Sequence, residues 1–144
     1  MKKLIIFFII ILIIVAIVAF NYMSYNINKE DIVKENSYFE QYIDKEVSGL
    51  DVATMINKIV DKNTKNKIEK DDKGIFIQNE ENSLELEIYI LDNEKTYKME
   101  TIYNGGTEQF VQYYGEIKFK CSKIEYHEKT GRIKYLFFEQ IQTS

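Results

Sequence analysis

The chain contains no proline, one cysteine and one histidine in 144 residues, and none of its six glycines comes before Gly49. A single thiol, Cys121, excludes an intramolecular disulfide, so the fold is held by its core alone. No cysteine follows the N-terminal apolar run, which excludes a lipoprotein signal, and the missing proline excludes a proline-containing cell-wall sorting motif. One His and one Cys are too few for a zinc site. Basic charge is also scarce: beyond Lys2 and Lys3, 17 Lys and Arg face 23 Asp and Glu, a net of −6. That balance opposes nucleic-acid binding, which draws its affinity from neutralised phosphates, and it opposes tight docking on anionic lipid.

What is abundant is apolar length. Leu4 to Phe20, LIIFFIIILIIVAIVAF, is an unbroken run of 17 apolar residues. As a helix it spans about 26 Å, a little short of a ~30 Å hydrocarbon core, and Tyr22, Met23 and Tyr25 extend it into the interface. Lys2 and Lys3 precede the run and no positive charge follows until Lys29. The expected arrangement is therefore residues 1–3 in the cytoplasm, residues 4–25 as a single-pass signal anchor in the cell membrane, and the remainder extracytoplasmic. A cleaved secretory signal fits less well. The run exceeds the usual ~7 to 15 residues, and a cut after Ala19 leaves Ile17 where a small residue is needed.

With no glycine or proline to stop it, the anchor helix is expected to continue as a stalk over residues 26–46, weakest at Asn21 to Asn28, where asparagine and serine prefer caps and turns. Ile32, Phe39, Tyr42, Ile43 and Val47 recur at helical spacing and define one apolar face. Ser48 and Asp51 form a capping pair ahead of Val52, Ala53, Ile56, Ile59 and Val60, a second, short helix that Asn63 can close in the left-handed conformation. A polar connection over residues 61–74 ends in a turn at Asp72-Lys73-Gly74.

From Gly74 onward the period becomes two. Ile75 and Ile77, then Leu84, Leu86, Ile88 and Ile90, alternate with polar residues as half-buried strands do. Asp92 to Lys95 is read as a hairpin into a strand over Thr96 to Tyr103, ended by Asn104-Gly105-Gly106, after which Thr107 caps a helical turn that packs Phe110, Val111 and Tyr114 on the sheet. Ile117, Phe119 and Cys121 alternate, and Ile124 and Tyr126 resume one residue out of phase. That slip predicts a β-bulge at Ser122-Lys123. Ile133, Tyr135 and Phe137 answer them across a turn in which Gly131 supplies a positive φ. The fold class is α+β: a transmembrane helix extended as a stalk, a second short helix, and an antiparallel sheet of about five strands, with residues 47–144 as the extracytoplasmic domain.

Cys121 and His127 raise a cysteine nucleophile with a histidine base, but strand alternation puts Cys121 on the apolar face and His127, beside inward Tyr126, on the other or in the turn. The competing role is a buried thiol acting as a small hydrophobe and a locally bonded histidine. Asp61 to Asn66 resembles a calcium loop, yet Lys65 and Asn66 occupy the fifth position and the sixth, where glycine is required. Glu80-Glu81 and Asp71-Asp72 sit in turns as solvated charges, and Gly105-Gly106 lacks a phosphate-loop context. No catalytic residue, cofactor or metal ligand is assigned. The functional hint is tyrosine, which supplies stiff contact area at binding surfaces and also covers sheet faces for structural reasons. Tyr103, Tyr113, Tyr114 and Tyr135 are the candidate binding residues.

The stretches GLDVATMINKIVDKN and FKCSKIEYHEKTGRI resemble small single-pass membrane-anchored bacterial proteins of no established function. In architecture the chain also resembles type IV pilins and pseudopilins, with a short basic leader, an apolar helix prolonged as a stalk and an antiparallel sheet. It departs from them in having no Gly-aromatic leader-peptidase site and no glutamate at the start of LIIFFIIILII. The expected function is a non-enzymatic binding or assembly protein of the bacterial cell envelope, with an envelope protein or a second copy as partner. The alternatives are a pilin-like filament or secretion subunit, and an envelope enzyme using Cys121.

Overall fold

The computed structural model describes residues 2–142. Met1, from the expected cytoplasmic segment, and Thr143 and Ser144, from the end of the expected domain, lie outside the described residues. Two compact units divide the chain, Met1–Glu35 and Asn36–Ser144. Helix α1 spans Lys2–Glu40 and continues unbroken through Asn21 to Asn28, the weak point of the expected stalk. Within the first unit, Leu4 to Phe20 are all exposed, and α1 is long and apolar enough to cross a membrane.

The second unit begins earlier than the sequence suggests. Residues 36–46, expected as the end of the stalk, belong to it: Phe39 is 2% exposed, and Asn36 donates from Nδ2 to the Gly131 carbonyl at 2.7 Å and accepts the Ile133 N–H at 3.0 Å. A three-residue strand β1 (Glu46–Ser48) leads into α2 (Gly49–Lys65), whose start is the predicted capping box. Asp51 N–H donates to Ser48 Oγ at 3.1 Å and Ser48 N–H donates to Asp51 Oδ2 at 3.0 Å. Val52, Met55, Ile56, Ile59 and Val60 are buried along one face. Asn63 does not close the helix. It lies inside α2, fully buried, and the left-handed residue is Lys67, φ 55°.

The chain then forms β2 (Glu85–Ile90), a 3₁₀ turn at Leu91–Asn93, β3 (Lys95–Lys98), α3 (Met99–Gly105), α4 (Thr107–Tyr114), β4 (Lys118–Tyr126) and β5 (Ile133–Gln140). The α+β class is as expected, and the sheet has five strands in the order β1-β4-β5-β2-β3. It is mixed rather than antiparallel throughout, because β2 and β5 pair in parallel, Leu86 with Leu136 and Ile88 with Phe138. Residues 74–77 join no strand. Asp71 Oδ1 accepts from the Lys73 and Ile75 N–H groups, and this turn sends Phe76 inward while Ile77 stays exposed. The strand expected over Thr96 to Tyr103 stops at Lys98, and the chain turns into α3, where Met99 and Ile102, three apart, share the helix face that meets the core. Gly106, φ 94°, and not Thr107 precedes α4, with no side-chain cap.

Buried residues from α2, α3 and α4 and from alternate strand positions make one core, so the helices cover a single face of the sheet. The bulge at Ser122 is present, between Cys121 and Lys123. A second irregularity opposite Lys134 reverses the phase beyond it. Leu136 and Phe138 point inward, whereas Tyr135 and Phe137, read in phase with Ile133, stack 6.4 Å apart on the open face. The same slip leaves Tyr126, expected inward, exposed, while His127 stands at the head of the β4–β5 turn, as the sequence allowed, and is buried there.

Candidate functional site

The α3–α4 corner makes a cleft. Gly106 adopts the left-handed side of backbone space that a side chain rarely tolerates, and its carbonyl accepts the Gln109 and Phe110 N–H groups that start α4. From that start, Phe110, Tyr113 and Tyr114 fall three and four residues apart on one helix face. Phe110 reaches the core, 6.2 Å ring to ring from Phe119, and carries Tyr114 beside it at 5.2 Å. Ile90 at the end of β2, Tyr97 on β3 and Ile102 on α3 complete the apolar wall of a cavity of about 220 Å³. Thr101, Gln109 and the backbone of Gly105 and Gly106 are its polar part.

No lining residue carries a charge. The Tyr97 hydroxyl accepts from Asn93 Nδ2 at 2.7 Å, which fixes the ring and leaves the phenolic proton to donate. Burial, then the nearby Asp92 carboxylate and Tyr97, hold the Tyr114 phenol above its ordinary value. The arrangement offers aromatic faces and neutral hydrogen-bonding groups to a small ligand, with no charged side chain in its lining.

Of the four tyrosines singled out in the sequence, Tyr113 and Tyr114 line the cleft together. Tyr103, 43% exposed, is outside its lining. Tyr135 lies on the open face of the sheet, where its hydroxyl donates to Glu87 Oε2 at 2.8 Å. Sequence reasoning missed Tyr97, Phe110, Gln109 and Thr101 as a group. The available signal was the 110, 113, 114 spacing, which marks one helix face.

The chain's thiol and imidazole are bonded apart. Cys121, 5% exposed, places Sγ 3.5 Å from the Lys123 carbonyl, and burial pushes its thiol above the ordinary value. His127 Nε2 meets the Ser83 carbonyl at 2.6 Å. This differs from the expected local bond, because it ties the β4–β5 turn to residue 83 across the fold. Among the described residues no cluster of three or more His, Cys, Asp or Glu side chains is placed to hold a metal. One further buried carboxylate, Glu100, accepts the Phe76 N–H at 3.1 Å through Oε1, while its Oε2 has no partner among the described residues. No protein-family model, curated protein or solved structure matches the chain.

Proposed function

We propose that the protein is a non-enzymatic binding module of the bacterial cell envelope, tethered by residues 4–25 with its N-terminus in the cytoplasm and its α+β domain outside. The observation that carries the reading is the charge asymmetry about the apolar run: Lys2 and Lys3 on one side, and no charge on the other until Lys29. The uncharged tyrosine cleft supports a binding role, because it is concave and lined by aromatic rings with a few polar groups. A catalytic role for Cys121 gains no support from a thiol that burial keeps protonated and a histidine bonded elsewhere.

Protease added to intact protoplasts tests the arrangement. Digestion of residues 29–144 is expected, and replacing Lys2 and Lys3 with glutamate is expected to scramble the orientation. A domain protected in intact protoplasts and digested only after lysis is cytoplasmic, and the envelope reading then fails.

A further inference from the structure

We infer that the cleft at the α3–α4 corner is a subsite for a single uncharged pyranose ring. The chemistry of the cleft stands on its own, whereas the expectation that the sugar comes from an envelope glycan rests on the placement proposed above.

Three observations select the ligand. Size comes first: about 220 Å³ lies below the ~300 Å³ at which cavities for drug-sized molecules begin, and suits one ring. Charge comes second. In a chain that is 29% charged, the lining has no charged side chain, so a phosphate or carboxylate entering it would be desolvated without a counter-charge, and Asp92 beside Tyr114 repels an anion further. The third is the combination of surfaces. Tyr97, Phe110, Tyr113 and Tyr114 present aromatic rings, while the Thr101 hydroxyl, the Gln109 amide and the Tyr113 and Tyr114 hydroxyls make no side-chain hydrogen bond among the described residues.

A pyranose matches both halves of that surface. Its axial C–H groups pack on the electron-rich faces of the rings, and its hydroxyls meet the amide and hydroxyl groups at the edge. An aliphatic or aromatic side chain from a protein partner uses the rings but leaves most of the polar groups desolvated and unpaired, which costs binding energy. A quaternary ammonium gains from the aromatic faces and offers no hydrogen bond to Gln109 or Thr101.

The test uses the full-length protein in polyoxyethylene-ether micelles, which contain no sugar, with ligand-observed saturation-transfer NMR and calorimetry. Glucose, N-acetylglucosamine and its β-1,4-linked tetramer are expected to bind saturably in the millimolar range or tighter, and glucose 6-phosphate at least about tenfold more weakly. Tyr113→Ala and Gln109→Ala should each weaken sugar binding about tenfold without moving the unfolding midpoint, whereas Tyr103→Ala should leave binding unchanged. Co-sedimentation with purified peptidoglycan, lost in Tyr113→Ala, identifies a polymeric source. Binding of the soluble sugars without co-sedimentation identifies a free one, and either supports the assignment of the cleft.

The absence of saturable sugar binding, equal binding by the Tyr113 and Gln109 variants, or displacement of the sugar by choline or p-cresol overturns it. Because the measurement is made on purified protein, its outcome is separate from topology. An exposed domain that binds no sugar refutes the cleft assignment alone, and a protected domain that binds sugar refutes the envelope placement alone.

Discussion

The side-chain amide of Asn63 pairs with both backbone polar groups of Leu84, donating to its carbonyl at 2.8 Å and accepting its N–H at 3.0 Å. Both residues are fully buried, so the amide stands in for a neighbouring strand and fastens α2 to the entry of β2. Asn63→Leu keeps the branched shape of the side chain, with bulkier methyls in place of the amide, and leaves a donor and an acceptor unsatisfied in the core. A loss of about 2 to 4 kcal/mol in urea unfolding is expected. A loss under about 1 kcal/mol would show that water or a shifted backbone satisfies Leu84 instead.

Asn63 also shows where sequence reading stops. Local signals were legible: the Ser48–Asp51 box, the bulge at Ser122 and the left-handed Gly131 all depend on neighbours in the chain. Non-local outcomes were not. An asparagine near a helix end looks like a cap, and only the arrival of Leu84, 21 residues on, turns it inward. The parallel pairing of β2 with β5 joins residues 50 apart in the chain, and nothing in the alternation of either strand states its direction. The same holds for the cleft. Tyr113 and Tyr114 could be named from the sequence, but Tyr97 joins them only because the chain turns into α3 after Lys98 instead of extending.

Gly49 sets the start of α2 directly against the end of α4. Its N–H donates to the Ile117 carbonyl at 2.9 Å, and a Cβ added to it would lie 1.9 Å from the Tyr114 carbonyl oxygen, a backbone atom that cannot rotate away. Gly49→Ala is expected to lower stability by at least about 2 kcal/mol. Gly105→Ala, where a Cβ meets no atom within 4 Å, should stay within about 0.5 kcal/mol of the parent. Equal unfolding midpoints for the two variants would mean that the α2–α4 junction yields easily.

Cys121 is a core residue with a protonated thiol, because burial outweighs the backbone hydrogen bonds from Lys123 and Phe137 that favour the thiolate. Iodoacetamide at neutral pH should label it slowly in the folded protein and rapidly after denaturation. Cys121→Ala is expected to cost about 1 to 2 kcal/mol through lost packing, and Cys121→Asp to prevent folding by burying an unpaired charge. Rapid labelling of the native protein, or a stable aspartate variant, contradicts this placement.

Tyr135 makes stability fall in alkaline solution. Burial first, then the hydrogen bond to Glu87 and the charges of Glu87, Glu85 and Glu125, raise its phenol above the ordinary 10.0, because ionisation would set a phenolate against carboxylates. A group whose pKa is raised on folding contributes stability that is fully present below the unfolded value and is lost as pH rises through the folded one. The melting temperature should therefore hold steady up to about pH 9.5 and decline above pH 10. Lys98, raised chiefly by its hydrogen bond to Glu85, loses its charge in the same range, and Tyr126, raised by burial and by its bond to Glu40, adds to the decline. Both remain in Tyr135→Phe, so the difference between the two pH profiles isolates the Tyr135 phenol. The variant should show the shallower alkaline slope. Superimposable slopes would mean that the Tyr135–Glu87 bond does not persist in solution.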